Sequence, residues 1–128
     1  MKYINYLFLL FFIQACTKSA ESGTQNLKEQ VSATAVVHPQ TMPGVFVSDG
    51  ERVSETATVY NQNGQLTLAL ENFSSNNGPD LHVYLSQELQ PVHFIDLGKF
   101  KSISGNQLYE ISGMPDFKSY QWALIHCL

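Results

Sequence analysis

The chain has 128 residues, 44% of them hydrophobic and 14% charged, with a formal charge of −4 at pH 7. That length holds one domain, and the composition is that of an ordinary globular protein, neither disordered nor membrane-embedded. The acidic balance excludes the electrostatic footprint of a nucleic-acid binder, and a protein drawn to anionic lipid by surface charge would be basic instead.

The first element is a leader. Lys2 supplies a positive n-region, and residues 6–13 form an unbroken apolar run. Eight residues are too few for a spanning helix, which needs about twenty. Ala15 then precedes Cys16, and Ile13-Gln14-Ala15-Cys16 resembles the lipobox cut by lipoprotein signal peptidase, with Gln14 standing where a smaller residue is more usual. Residues 1–15 are therefore expected to be a signal peptide and Cys16 the lipidated N-terminus. Acyl chains, palmitate among them, would then hold the protein on a membrane of the bacterial cell envelope, facing the periplasm or the exterior. One acyl chain binds only marginally, whereas several hold stably.

Residues 16–41 are rich in Ser, Thr, Gln and Glu and lack a long apolar period. The expectation is a flexible tether, with room for one helical turn over residues 26–31. A domain over residues 42–128 follows. Residues 44–47 read as a short first strand. Residues 56–60 and 65–71 flank Asn63-Gly64, a strong hairpin signal because both residues accept positive φ. In the second arm Leu66, Leu68 and Leu70 share a face, the period of two of a half-buried strand. Leu81, Val83 and Leu85 alternate with His82, Tyr84 and Ser86 in the same way. Residues 92–97, 107–111 and 120–127 complete about seven short strands. The fold expected is all-β, an antiparallel sandwich or a related barrel.

The segments Leu70-Glu71-Asn72-Phe73 and Gly78-Pro79-Asp80-Leu81-His82-Val83-Tyr84-Leu85-Ser86 resemble the electron-transfer DM-thirteen domain family, found in Skeletor-type animal proteins and bacterial envelope lipoproteins. The likeness continues through Asp96-Leu97-Gly98, Lys101-Ser102, residues 105–111 and the strand that holds Cys127. It implies a β-sandwich related to DOMON domains. It also implies redox chemistry or electron transfer through a cysteine, as a thiol or as ligand to a haem-like group, with Cys127 at the matching position. Two departures stand out. Arg52 and Glu55 occupy places where the family often shows a His and a Gly. The family also continues past the cysteine with a further strand, so the last strand is expected to be missing and an edge left open beside Cys127.

If Cys16 carries lipid, Cys127 has no second cysteine in the chain to pair with, and a lone thiol or an intermolecular bond is expected. Its bland reading is a buried apolar residue in step with Ala123 and Ile125. A reactive thiol needs a cation nearby, for which Arg52, Lys99 and Lys101 are the candidates. A metal or haem site would join Cys127 to His82, with His93, His126, Met42 and Met114 as further donors. No Cys-x-x-Cys, His-x-His or Cys-x-x-Cys-His spacing supports one. Asp80 reads as a turn residue bonding local amides, and Tyr84, Tyr109, Tyr120 and Trp122 as core aromatics with bonded polar tips. The sequence holds no signature of a stand-alone enzyme. The expected function is electron transfer through Cys127 with redox partner proteins and no nucleic acid. The alternative is a non-catalytic module binding a ligand or protein around residues 76–86.

Overall fold

The computed structural model describes residues 21–48 and 51–128. The signal peptide, Cys16 and the start of the tether lie outside the described residues. Nine strands run in chain order: β1 (Gly23–Lys28), β2 (Val36–Val37), β3 (Gly44–Ser48), β4 (Glu51–Gln62), β5 (Gln65–Ser74), β6 (Leu81–Ser86), β7 (Phe94–Lys99), β8 (Ser102–Ile111) and β9 (Trp122–Cys127). They form two sheets. One has the order β1-β8-β5-β4-β2, with β3 also paired to β4, and the other has the order β7-β6-β9. The all-β sandwich is thus present. No helix among the described residues is long and apolar enough to cross a membrane.

The hairpin forms where Asn-Gly places it. Gln62 pairs with Gln65 across Asn63 (φ 52°) and Gly64 (φ 85°), and the Gly64 amide donates to Asn61 Oδ1 at 2.9 Å. Both loop residues have positive φ, which matches the right-handed twist of the arms. Leu66, Leu68 and Leu70 are buried along β5, as their alternation requires, and they pack with Val59, Tyr109 and Ile111 against Val83 and Leu85 of the smaller sheet. Phe73 sits between Phe46 and Phe100, edge-on to each with ring centroids 5.2 Å apart. That geometry suits the aromatic quadrupole.

The tether expectation fails over part of its length. Residues 23–28 are strand β1, paired in parallel with β8, and residues 36–37 are strand β2, paired with β4. The helical turn near Asn26 is replaced by extended backbone. β1 is exposed on most residues and carries no apolar period, so burial does not hold it. Backbone pairing does, together with a polar anchor beneath it. The Ser102 hydroxyl donates to the Gln25 carbonyl, and the Gln107 amide, fully buried, donates to the Ser102 carbonyl at 2.6 Å. The Tyr109 hydroxyl donates to Gln107 Oε1 at 2.5 Å and accepts the Lys101 amide at 2.9 Å. Every member of this buried network has a partner, the condition under which such a network specifies one packing.

Burial pushes the Tyr109 hydroxyl up to about 12, partly offset by the Lys101 amide that would stabilise a phenolate. The folded-state value lies above the unfolded one, so the neutral ring's stabilisation is complete below pH 10 and is lost as pH rises from 10 through 12. The loss expected is about 2 kcal/mol at most. Urea melts across that range should show it for the wild type and not for Tyr109→Phe. That variant should itself be less stable by about 1–3 kcal/mol at pH 7, through the stranded Lys101 amide, while Gln107 Oε1 keeps the Ser102 amide at 3.2 Å.

Candidate functional site

The β6–β9 register decides what meets what in the smaller sheet. Leu81 pairs with Cys127, His82 with His126, Val83 with Ile125 and Tyr84 with Leu124. Directly paired residues share a face, and neighbours along a strand point to opposite faces. Cys127 therefore stands on the inward face with Leu81, Val83 and Ile125. His82, His126 and Tyr84 stand on the outward one. Cys127 alternates in step with Ala123 and Ile125, as its apolar setting predicts.

The Cys127 sulfur lies 3.1 Å from the Pro79 carbonyl oxygen, beside the turn that feeds β6. It is disulfide-bonded in the structure, so this approach carries no donated proton. The expectation of a lone thiol is thereby corrected: the sulfur is held as a disulfide. Of the cations considered for it, Lys101 is committed elsewhere. Its ammonium donates to Glu29 at 3.0 Å and to the Leu108 carbonyl at 2.6 Å, and it lies 5.2 Å over the Tyr109 ring. Lys99 pairs with His82 and so belongs to the outward face. The Arg52 side chain lies outside what the structure describes.

His82 does not join Cys127. Its Nδ1 lies 2.9–3.0 Å from the two Asp96 carboxylate oxygens, and its Nε2 lies 3.4 Å from Asp80 Oδ1. Both nitrogens already face carboxylates, which leaves neither lone pair aimed at a metal. The donors expected to hold a haem-like group together thus sit on opposite faces, and among the described residues no three His, Cys, Asp or Glu side chains are grouped to hold a metal ion. The residues do not fit a Cys127–His82 ligated group. His93 is likewise engaged, with Nδ1 2.7 Å from Glu88, an exposed carboxyl that the His93 side chain holds below the usual range. Met42 and Met114 are exposed.

Asp80 differs from expectation as well. It has positive φ (50°) and its carboxylate turns to His82, not to turn amides, while its carbonyl accepts the Leu128 amide at 3.2 Å. Tyr84 is buried, stacked between Phe94 (4.3 Å) and His126 (5.5 Å). Burial raises its hydroxyl above the ordinary tyrosine value, and the charges of Asp96 and Asp80 add to that. Sequence reasoning missed the Asp96–His82–Asp80 row. The alternation of β6 was legible, but the register that sets Asp96 opposite Tyr84 was not.

A cavity of about 810 Å³ lies between the two sheets, bounded by β3, β4, residues 74–76 and the edge strand β9. Leu81 and Ile125 line it, so Cys127 is the next inward residue along β9, about 7 Å beyond Ile125 at strand spacing. Phe46 and Phe73 contribute aromatic walls, and Trp122, on the outward face of β9, borders the cavity at its edge. One charged side chain enters. Glu55 is 7% exposed, and its Oε2 is buried with no hydrogen-bond partner. It lies in β4 on the core face, in step with Ala57 and Val59. That parity was the available signal.

Two packed sheets with a terminal-strand cysteine on the inward face define a small β-sandwich domain. The chain belongs to the family described as Electron transfer DM13, whose model matches residues 45–128. No curated protein matches the chain, and no solved structure does. The matched span begins inside β3, at Val45, runs through the whole of β9 with Cys127, and leaves β1 and β2 outside.

Proposed function

We propose that this protein is a lipid-anchored component of the bacterial cell envelope whose DM13 domain transfers electrons through the Cys127 sulfur. The observation that carries the reading is the family match over residues 45–128. The position of Cys127 supports it, since this sulfur sits on what is, among the described residues, an edge strand of the smaller sheet, next to the cavity. The chemistry is thiol–disulfide exchange. A thiolate of a reducing dithiol attacks the Cys127 sulfur of the disulfide, expels the partner sulfur as a thiol, and leaves a mixed disulfide between the dithiol and Cys127. The dithiol's second thiol then closes it, releasing Cys127 as a thiol and leaving the reductant as a disulfide. Two electrons and two protons pass to the disulfide, which ends as the Cys127 thiol and the thiol of its former partner.

The anchor rests on the leader and the Cys16 lipobox. The sequence has two cysteines, so a lipid thioether on Cys16 and a disulfide within the chain exclude each other. In the anchored form the Cys127 disulfide is a mixed one, with a thiol from outside the chain. Intact-mass measurement on protein extracted from membranes without reductant tests both halves. A diacylglyceryl mass on the N-terminus and a dithiothreitol-sensitive adduct at Cys127 are expected. An unmodified N-terminus with an internal disulfide would sink the anchor. Cys127→Ser should abolish turnover with a dithiol reductant while moving stability by less than about 1.5 kcal/mol. Unchanged turnover in that variant would remove Cys127 from the mechanism.

A further inference from the structure

We infer that the inter-sheet cavity is a binding site for a neutral aromatic alcohol, a flat apolar molecule whose hydroxyl donates to Glu55. The electron-transfer reading does not use this residue, and the inference stands without it. The cavity's size, about 810 Å³, falls within the range of small-molecule sites. Its walls are mostly apolar, with Phe46 and Phe73 aromatic, Trp122 at the edge, and Ser74, Ser75, Asn76 and Gln121 as the uncharged polar residues of the lining. Phe46 is also edge-on to Phe73, with ring centroids 5.2 Å apart, so the two rings form one continuous aromatic surface.

The polar requirement comes from Glu55. A carboxylate oxygen buried without a partner is costly, because it has given up water and gained no donor in exchange. Glu55 is placed inward by strand parity, in step with Ala57 and Val59, and is 7% exposed. Among the described residues no donor reaches Oε2. A ligand that brings one donor on an apolar body completes the site with a charge-assisted bond. An ammonium fits less well. Burying a full charge calls for several acceptors, while the unmet demand here is one oxygen. A neutral hydroxyl on an aromatic ring matches both the walls and the single acceptor.

The test is calorimetric titration of the full-length protein with 2-naphthol, 2-methylnaphthalene and 2-naphthylmethylamine. 2-Naphthol should bind about tenfold or more tightly than its methyl counterpart, the discrimination expected when one buried acceptor is left unpaired. Glu55→Leu should erase that difference and, with no ligand present, raise the melting temperature by removing the orphaned oxygen. Trp122 is the only tryptophan of the sequence and borders the cavity. Its emission in the wild-type protein should therefore change on 2-naphthol addition and saturate with the calorimetric curve, a readout independent of any variant. Equal affinity for 2-naphthol and 2-methylnaphthalene would overturn the proposal. So would tighter binding of the amine, or no binding up to the solubility limit. The dithiol turnover of Glu55→Leu should match the wild type, which separates failure of this site from failure of the redox reading.

Discussion

Gly105→Ala is expected to be among the most damaging single substitutions in the domain. Gly105 has φ of +96°, a conformation that L side chains rarely adopt, and an added Cβ would stand 2.1 Å from the Leu27 carbonyl oxygen and 2.4 Å from the Leu27 nitrogen. Those are backbone atoms of β1, so no side chain can swing aside. Either the strand leaves or β8 distorts. The φ strain alone is worth about 1–3 kcal/mol, and losing β1 adds to it, for a total of about 3 kcal/mol or more. For a domain of this size that is roughly 10 °C or more in melting temperature. Hydrogen exchange should show the β1 amides losing protection first. The outcome also decides whether residues 23–28 belong to the domain. A melting temperature unchanged by Gly105→Ala would mean that β1 does not sit on β8 in solution and that this segment is tether after all.

Leu70→Ala is expected to cost about 3 kcal/mol, within the usual 2–5 kcal/mol for a buried leucine. Leu70 is 0% exposed, lies mid-strand in β5 between Ala57 of β4 and Gln107 of β8, and faces the smaller sheet. Its neighbours are fixed by two ladders, so the sheet cannot collapse into the space, and the cavity penalty adds to the lost transfer energy. Since small domains hold only about 5–15 kcal/mol in all, this variant should be close to the limit of folding. Met114→Ala provides the contrast. Met114 is 75% exposed and its loss should stay within about 0.5 kcal/mol. Chemical denaturation of the two variants side by side checks the claim, and similar midpoints would mean that the core is not where Leu70 lies.

Much of the strand content was open to a reader of the sequence because it depends on neighbours along the chain. Asn63-Gly64 needs only its own φ values to turn, and Leu66, Leu68 and Leu70 need only the pleat to share a face. β6 was legible for the same reason. Its boundaries, Leu81–Ser86, coincide with the alternation of Leu81, Val83 and Leu85. The likeness of residues 70–73 and 78–86 to the electron-transfer family was legible too, and the family match over residues 45–128 agrees with it.

What the sequence could not decide is what lies across from what. β1 has no apolar period, so nothing local marks it as a strand. Parallel pairing to β8 stabilises it, through carbonyl and amide groups that every residue carries. The pairing of Leu81 with Cys127 and of His82 with His126 is a matter of register, and it separates two residues that look like joint ligands when read along the chain. Glu55 reads as a departure from a glycine pattern until β3, β5 and β9 enclose it. Along the chain, then, periodicity and turn chemistry determined the hairpin, the leucine face and the class of fold. Tertiary structure alone decided the surroundings of Cys127, His82 and Glu55, because sheet order and register are set by contacts between residues distant in sequence.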